Sequence, residues 1–196
     1  MQDFACPPPV PANTARRAKF GVGRVEIHPY RPEDAVAVRK VHLKAFEGQE
    51  EEARLVDLLH AAGAAPISLV AAEEPSGRIL GHVLFSPVDL DEPPAALHLL
   101  GLAPVGVLPE EQGRGVGSHL VRAGLAACLA AGYDAVVVLG EPGYYSRFGF
   151  QRASDRGLGN EYGADEHFMV AELREGAPDG AGGTVRYRPE FREAGT

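Results

Sequence analysis

A glycine-rich hexapeptide in the second half of the chain separates an apolar run from a helix-like segment, and this junction constrains the fold most. The apolar run covers residues 102–108, and the helix-like segment begins near Ser118. Glycines let the backbone approach a ligand closely, and the first turn of a helix carries unpaired N–H groups. Together they predict an anion site, most naturally for a phosphate group. The candidate loop residues are Gln112, Gly113, Arg114, Gly115, Val116, Gly117 and Ser118.

Two familiar kinds of phosphate-binding loop do not fit this stretch. A Walker A loop needs a lysine after its last glycine, but Ser118 follows Gly117, so an ATP or GTP hydrolase is disfavoured. A dinucleotide-binding fingerprint needs a third glycine where Ser118 stands. That fingerprint also normally opens the first crossover of its fold, whereas this loop lies past the middle of the chain.

Hydrophobic periodicity predicts strands and helices on both sides of the loop. The predicted elements are a strand from residue 23, helices over 32–46 and 48–63, a hairpin over 68–72 and 79–88, a strand over 95–108, a helix over 118–132 and a strand over 134–139. Residues 141–148 favour a short helix, 149–165 favour loops, and 168–173 and 184–187 favour two further strands. Pro104 has no N–H to donate, so it predicts a bulge or an unpaired stretch within the strand before the loop.

Length and charge exclude several classes of protein. The 196 residues suffice for one domain with its own core, and residues 1–22 have the proline-rich composition of a flexible arm. A formal net charge of −8 argues against a nucleic-acid partner. No apolar run approaches the roughly 18 residues of a membrane span, and the N-terminus lacks the hydrophobic core of a signal peptide. We therefore expect a cytoplasmic protein that does not bind a membrane.

Cysteine and histidine spacing predicts neither a disulfide framework nor a metal site. Cys6 and Cys128 are far apart, and Cys128 falls at an apolar position of a predicted helix. The seven histidines show no close pairing of the kind that ligates a metal.

The loop and a later aromatic block resemble those of the GNAT superfamily of N-acetyltransferases. Residues 105–117 are similar to the acetyl-coenzyme A signature of that family, a Gln/Arg-x-x-Gly-x-Gly/Ala loop behind an apolar strand. Residues 144–150 (Tyr-Tyr-Ser-Arg-Phe-Gly-Phe) resemble its Phe-Tyr-x-x-x-Gly-Phe segment. Residues 141–145 and 183–187 are similar to the YhbS-like branch. The order of predicted elements over residues 23–190 agrees.

The resemblance implies a fold and an activity. The fold would be α/β (α+β), with a mixed central β-sheet that is splayed at the acetyl-CoA site and flanked by helices over residues 23–196. The activity would move acetyl from acetyl-CoA to a primary amine of a small molecule, peptide or protein, by direct attack in a ternary complex. A non-catalytic acyl-CoA-binding or sensing module is the alternative. The sequence leaves the oligomeric state open, a homodimer included.

The resemblance also assigns roles to individual residues. Residues 112–118 would bind the CoA pyrophosphate, and the main chain of the segment Val105, Gly106 and Val107 would pair with the pantetheine arm. Tyr145 matches the tyrosine that protonates the departing thiolate. The family often places a glutamate near the strand before the loop as general base, but residues 97–108 contain no carboxylate. His82 is our candidate base, with His98 and residues 50–52 as weaker ones.

Overall fold

The computed structural model describes residues 16–19, 24–91, 97–177 and 182–196, which contain eleven strands and five α-helices. The strands are β1 (Arg16–Lys19), β2 (Arg24–Pro29), β3 (Ile67–Glu74), β4 (Arg78–Pro87), β5 (Asp89–Leu90), β6 (Leu99–Val107), β7 (Ala135–Leu139), β8 (Gln151–Arg152), β9 (Leu158–Asn160), β10 (Phe168–Glu172) and β11 (Gly183–Arg186). The helices are α1 (Ala35–Ala45), α2 (Glu51–Ala61), α3 (Val116–Ala130), α4 (Pro142–Tyr145) and α5 (Pro189–Ala194).

Eight of these strands form one mixed sheet, in the order β1-β2-β3-β4-β6-β7-β10-β8. Its neighbours are antiparallel except for β6 and β7, which are parallel and joined by the crossover helix α3. The β6–β7 pairing runs only from Leu99↔Ala135 to Gly101↔Val137. Both strands continue beyond that point, to Val107 and Leu139, so the sheet opens between them. This splayed, mixed sheet confirms the predicted fold class.

Strand β6 carries the bulge that Pro104 predicts. Val105 pairs with Val83 and Leu102 pairs with Phe85, so two residues of β6 lie opposite Leu84 alone. Beyond the bulge the ladder is regular, and the Leu108 N–H donates to the Leu80 carbonyl at 2.9 Å.

The main-chain groups of β6 alternate in direction beyond the bulge. Hydrogen-bonded pairs occur at every second residue of an antiparallel ladder, so Gly106 pairs with β4 as Leu108 does. The N–H and C=O groups of Val105 and Val107 therefore point away from β4, into the opening of the sheet. The Val107 carbonyl accepts a hydrogen bond there from the Gln112 side-chain amide at 3.1 Å.

Helices cover both faces of the large sheet. Helices α1, α2 and α5 pack on one face through apolar stripes that include Val41, Leu55, Leu59 and Phe191, and α3 packs on the other. Complete burial of such side chains contributes about 1.5–3 kcal/mol each. This packing fixes the beginning of α3, at the end of the glycine loop, beside the open edge of β6.

Some segments differ from the sequence-based expectation. Residues 16–19, placed in the flexible arm, form β1 and pair with β2; the remainder of the arm, 1–15 and 20–22, lies outside the described residues. The segment expected to be loops contains the short strands β8 and β9, and α5 was not predicted.

Cys128 is a buried free thiol, and Cys6 lies outside the described residues. None of the described helices is both long and apolar enough to cross a membrane.

Candidate active site

A groove of about 520 Å³ lies where β6 and β7 separate. It is lined by the open edge of β6, the glycine loop, the start of α3, the aromatic block after β7 and the end of α1. Of the residues that the sequence singled out, it brings together Val105, Val107, Gln112, Gly113, Gly115, Val116, Gly117, Ser118 and Tyr145. Its lining also contains Ala45, Phe46, Glu111, Tyr144 and Arg147, to which the sequence assigned no role. Gly106, Arg114 and His82 are not part of this lining.

The glycines of the loop serve two different purposes. Gly113 and Gly115 have φ angles of 70° and 90°, a left-handed conformation that other residues adopt only with strain. At Gly117 the requirement is space, because a Cβ there would lie 2.9 Å from the Tyr144 hydroxyl. Helix α3 begins directly after Gly115, and its first-turn N–H groups have no helical carbonyl to bind. The loop thus presents backbone donors and the positive end of the helix dipole to the groove.

Two arginines near the loop differ in their partners. Arg114 Nη1 lies 2.7 Å from Glu111 Oε2, and Arg78 also pairs with this largely buried carboxylate at 3.2 Å. The charge of Arg114 is therefore matched by a neighbour. Arg147 lies against the Tyr144 ring at 4.2 Å and forms no ion pair within the described parts of the chain. Arg147 is the better-placed cation, and its only sequence signal is its position inside the aromatic block.

Tyr145 is held deep in the groove by its neighbours. It ends α4, whose beginning is fixed by Pro142 and by Glu141, which accepts a hydrogen bond from the Gly143 N–H at 3.4 Å. The Tyr145 ring crosses Gly140 so closely that a Cβ there would lie 2.4 Å from Cε2. Burial, with a smaller contribution from Tyr144, raises the pKa of Tyr145. Tyr145 therefore carries its proton at neutral pH and can donate it.

The His82 side chain lies on the face of the sheet that α1 and α2 cover, and it is part of a series of side-chain hydrogen bonds. It is fully buried, and its Nδ1 lies 2.8 Å from His42 Nε2. Its Nε2 lies 2.9 Å from Ser68 Oγ, which is 3.2 Å from His60 Nε2. Four side chains from α1, β4, β3 and α2 are thus linked. Because both ring nitrogens are occupied, His82 meets the groove only through His42, which lies in the last turn of α1 before the groove residues Ala45 and Phe46.

Burial also determines the protonation of these histidines. Burial lowers the pKa of His42 to about 4. The pKa of His82 falls well below its usual range because of burial and, to a smaller extent, repulsion from His42 and His60. Both rings are therefore neutral at pH 7 and keep an acceptor nitrogen.

The weaker candidates for the base lie in other places. The His98 main chain donates to Asp134 Oδ2 at 2.8 Å, at the paired end of β6 and β7 rather than at their opening. Glu51 and Glu52 lie in the first turn of α2, where the helix dipole stabilises acidic side chains. Glu50 Oε2 lies 3.7 Å from Arg39 Nη2. The structure brings none of them into the groove lining. In the described ranges no group of three His, Cys, Asp or Glu side chains is arranged to hold a metal ion.

Together, the open parallel-strand edge, the glycine-rich helix start and the buried tyrosine define an enzyme of the acyltransferase class. Comparison with known proteins gives the family, because residues 26–153 match the family described as the acetyltransferase (GNAT) domain. The chain belongs to the GNAT family of acetyltransferases. The resemblance carried by the glycine loop and the aromatic block is thereby confirmed.

Several relatives match nearly the whole chain. The N-acetyltransferase YhbS of Escherichia coli strain K12 is 37% identical over 169 residues, covering 86% of this chain and 96% of YhbS. The crystal structure of E. coli YhbS in complex with CoA has a TM-score of 0.82 at 35% identity, covering 89% of this chain and 96% of that one. A GNAT family acetyltransferase from Brucella melitensis in complex with acetyl-CoA has a TM-score of 0.71 at 37% identity, covering 85% and 97%.

Proposed function

We propose that this protein transfers an acetyl group from acetyl-CoA to a primary amine by direct attack in a ternary complex. The observation that carries the proposal is the groove, in which the outward-facing main chain of β6 meets the beginning of α3. Relatives crystallised with CoA and with acetyl-CoA share this fold at 35% and 37% identity, which supports acetyl-CoA as the donor.

The groove offers separate contacts for each part of acetyl-CoA. Backbone N–H groups of residues 112–118 would bind the pyrophosphate, with Arg147 as a nearby positive charge and Arg114 as a more distant one. The N–H and C=O groups of Val105 and Val107 would pair with the pantetheine amides like an added strand, with Gly106 between them. One of these N–H groups would also polarise the thioester carbonyl as charge develops on its oxygen.

Tyr145 would supply the proton that the departing thiolate needs. A free phenol has a pKa near 10 and a thiol has one near 8.5. Burial raises the pKa of Tyr145 and so widens this pKa difference. Complete transfer before the C–S bond breaks would therefore be unfavourable. The proton would move together with bond cleavage, along a hydrogen bond from the Tyr145 hydroxyl to the sulfur.

The amine needs a base, because an alkylammonium has no free electron pair for attack. His82 remains our candidate and would act through His42, to which its Nδ1 is hydrogen-bonded. The negative net charge of the protein favours a cationic acceptor, either a small polyamine-like molecule or a basic peptide.

Calorimetry and turnover on the same preparation test the proposal. Isothermal titration should show acetyl-CoA binding at one site per chain, and a thiol-release assay over small cationic amines and lysine-containing peptides should find at least one acceptor. Mass spectrometry should show a gain of one acetyl group on that acceptor. Tight binding without acetylation of any amine would favour the non-catalytic acyl-CoA-binding module, and the absence of CoA binding would contradict both functions.

A further inference from the structure

Three histidines and one serine form a continuous hydrogen-bonded chain that crosses the protein from the groove side to the surface. The links join His42 to His82 at 2.8 Å, His82 to Ser68 at 2.9 Å and Ser68 to His60 at 3.2 Å. These residues come from four different elements, α1, β4, β3 and α2. Most side-chain hydrogen bonds in proteins go to the main chain or to water, so four successive side chains bonded in series are unusual.

One end of the hydrogen-bonded chain lies behind β6, the strand whose open edge lines the groove. His42 Nδ1 is buried and has no hydrogen-bond partner among the described residues. A Cβ on Gly106 would lie 2.8 Å from this nitrogen and 3.5 Å from the Ala45 side chain. The nitrogen therefore lies against the Gly106 main chain, which follows the lining residue Val105 and precedes the lining residue Val107. His42 itself is fully buried and is not part of the groove lining.

The other end of the chain reaches the surface. His60 is half-buried in the last turn of α2, and its ring stacks on Tyr30 with the centroids 3.9 Å apart. The groups that act on its charge are the carboxylate of Asp57, which favours the protonated ring, and His82. Burial has the larger effect and lowers the pKa of His60, so this ring is mostly neutral at pH 7.

The hydrogen bonds can all point in one direction. If His42 donates from Nε2 to His82 Nδ1, then His82 must donate from Nε2 to Ser68, and the Ser68 hydroxyl must donate to His60 Nε2. This arrangement uses one neutral tautomer of His42 and of His82. It leaves His42 Nδ1 as an unoccupied acceptor below the groove, which is what a proton-accepting terminus requires.

We propose that His42, His82, Ser68 and His60 form a proton relay that carries the proton of the acceptor amine from the groove, past β6, to the surface beside Tyr30. This inference rests on the proposed function and identifies the missing base as a chain whose receiving atom is His42 Nδ1. His82, Ser68 and His60 act through His42 and are positioning and relay groups.

Every bond in the relay balances. As the amine nitrogen forms its bond to the thioester carbon, its N–H proton passes to His42 Nδ1. The Nε2 proton of His42 moves to His82 Nδ1, and that of His82 Nε2 moves to Ser68 Oγ. The original Ser68 proton moves to His60 Nε2, and His60 releases its other proton to solvent. The electron pair of the breaking C–S bond stays on sulfur, where the Tyr145 proton arrives. Tyr145 then regains a proton from solvent, which balances the proton that His60 releases.

Interrupting the relay at the serine gives the sharpest test. Ser68→Ala removes one link and only one oxygen atom, whereas Ser68→Thr keeps the hydroxyl. Val70→Ala is the matched control, because Val70 is fully buried and pairs with His82 in register but belongs to no hydrogen bond of the chain. The measurements are kcat, KM for acetyl-CoA, the acid limb of the kcat profile followed down to about pH 4, where His42 titrates, and the solvent deuterium isotope effect.

The relay predicts that Ser68→Ala lowers kcat at least tenfold with KM for acetyl-CoA within twofold of the wild type. It also predicts that the isotope effect and the position of the acid limb change. Ser68→Thr should recover most of the rate, and Val70→Ala should lower the melting temperature while leaving the isotope effect and the acid limb in place. An unchanged kcat in Ser68→Ala, or equal pH profiles in Ser68→Ala and Val70→Ala, would overturn the relay.

The same experiment separates this inference from the proposed function. A wild-type protein that binds acetyl-CoA and acetylates no amine contradicts the function, and with it a relay that serves the reaction. A wild-type protein that acetylates an amine while Ser68→Ala does so equally well contradicts the relay alone. Nitrogen-15 NMR of the histidine side chains adds an independent readout, because the relay requires an unprotonated His42 Nδ1 at pH 7. A protonated His42 Nδ1 at that pH would contradict it.

Discussion

The two faces of strands β4 and β6 bury different kinds of side chain, apolar on one face and partly polar on the other. On the α3 face the contacts are hydrocarbon, with Phe85 packed so tightly against α3 that a Cβ on Gly124 would lie 2.2 Å from its ring. On the face covered by α1 and α2 the sheet buries His82, Ser68 and Ser86. The described buried side-chain atoms without a hydrogen-bond partner belong to this second side: His42 Nδ1, Glu52 Oε2, Ser86 Oγ and Tyr187 Oη.

This difference corresponds to two tasks. The apolar face fixes the beginning of α3 against β6, which is a matter of rigid positioning for the donor. The polar face holds the groups of the proposed relay, and burying such groups away from water costs free energy. Of the four unpartnered atoms, only His42 Nδ1 belongs to the proposed relay.

The largest expected effect comes from filling the donor side, which is the part of the groove that would bind acetyl-CoA. Gly117→Trp should abolish measurable acetyl-CoA binding, because any side chain at this position meets the Tyr144 hydroxyl and a large one fills the groove. We expect a loss of at least about 100-fold in affinity, or roughly 2.7 kcal/mol, by isothermal titration. Gly182→Trp is the control, since Gly182 has open space around it and lies outside the groove lining. Normal binding by a folded Gly117→Trp protein would refute the assignment of the loop.

Lowering the pH should decrease the unfolding free energy of the protein through His42, which is buried on the polar face. The pKa of His42 falls from its ordinary value of 6.5 to about 4 in the folded protein, so the unfolded chain binds more protons between these pH values. Stability therefore decreases as the pH falls from 6.5 toward 4, by about 3 kcal/mol from His42 alone. Urea unfolding of wild type and His42→Gln at pH 7 and pH 4 measures the difference. Equal pH dependence in the two proteins would show that His42 is not held neutral.

Displacing Tyr145 should affect catalysis more than binding. Gly140→Ala places a Cβ 2.4 Å from the Tyr145 ring, so the ring must move. We expect kcat to fall about 30-fold with a smaller change in KM for acetyl-CoA, and Tyr145→Phe to fall at least as far. Gly143→Ala, whose Cβ would lie 3.7 Å from the Glu141 carboxylate, should remain close to wild type. Equal rates in Gly140→Ala and Gly143→Ala would remove Tyr145 from the mechanism.

The smallest expected effects are changes in unfolding free energy when either of two buried serines is replaced by alanine. Ser68→Ala removes the hydrogen-bond partner of His82 Nε2 and of His60 Nε2 and should cost about 1–3 kcal/mol of unfolding free energy. Ser86 is fully buried and has no hydrogen-bond partner among the residues that the structure describes, so Ser86→Ala should be neutral or stabilising by up to about 1 kcal/mol. Urea denaturation of both variants checks this. A Ser86→Ala protein destabilised as much as Ser68→Ala would contradict the difference between a linked and an unlinked hydroxyl.

The donor side could be predicted from the sequence because its signals are local. The glycine spacing at 113, 115 and 117, the apolar run before it and Pro104 lie within the sixteen consecutive residues 102–117. Their backbone requirements are nearly independent of the remainder of the fold. The bulge at Pro104 was therefore predicted at the correct place, and the helix predicted to begin near Ser118 begins two residues earlier, at Val116.

The polar face could be predicted only in part because its contacts are not local. His82 was identified from the alternation of β4, but its partners lie 14 and 40 residues away on β3 and α1. A signal for His42 existed, since it falls four residues after Val38 on the buried stripe of α1. The register of two strands and the positions of two helices were needed to link these side chains.

A crystal structure with bound acetyl-CoA tests the central claim most directly. The account predicts the pyrophosphate on the N–H groups that follow Gly113, the pantetheine along Val105 and Val107, and the thioester sulfur within hydrogen-bond distance of the Tyr145 hydroxyl. It also predicts that the acetyl group lies above Gly106, within reach of His42 Nδ1 directly or through one water. A cofactor bound outside this groove, or a thioester remote from both Tyr145 and His42, would contradict it.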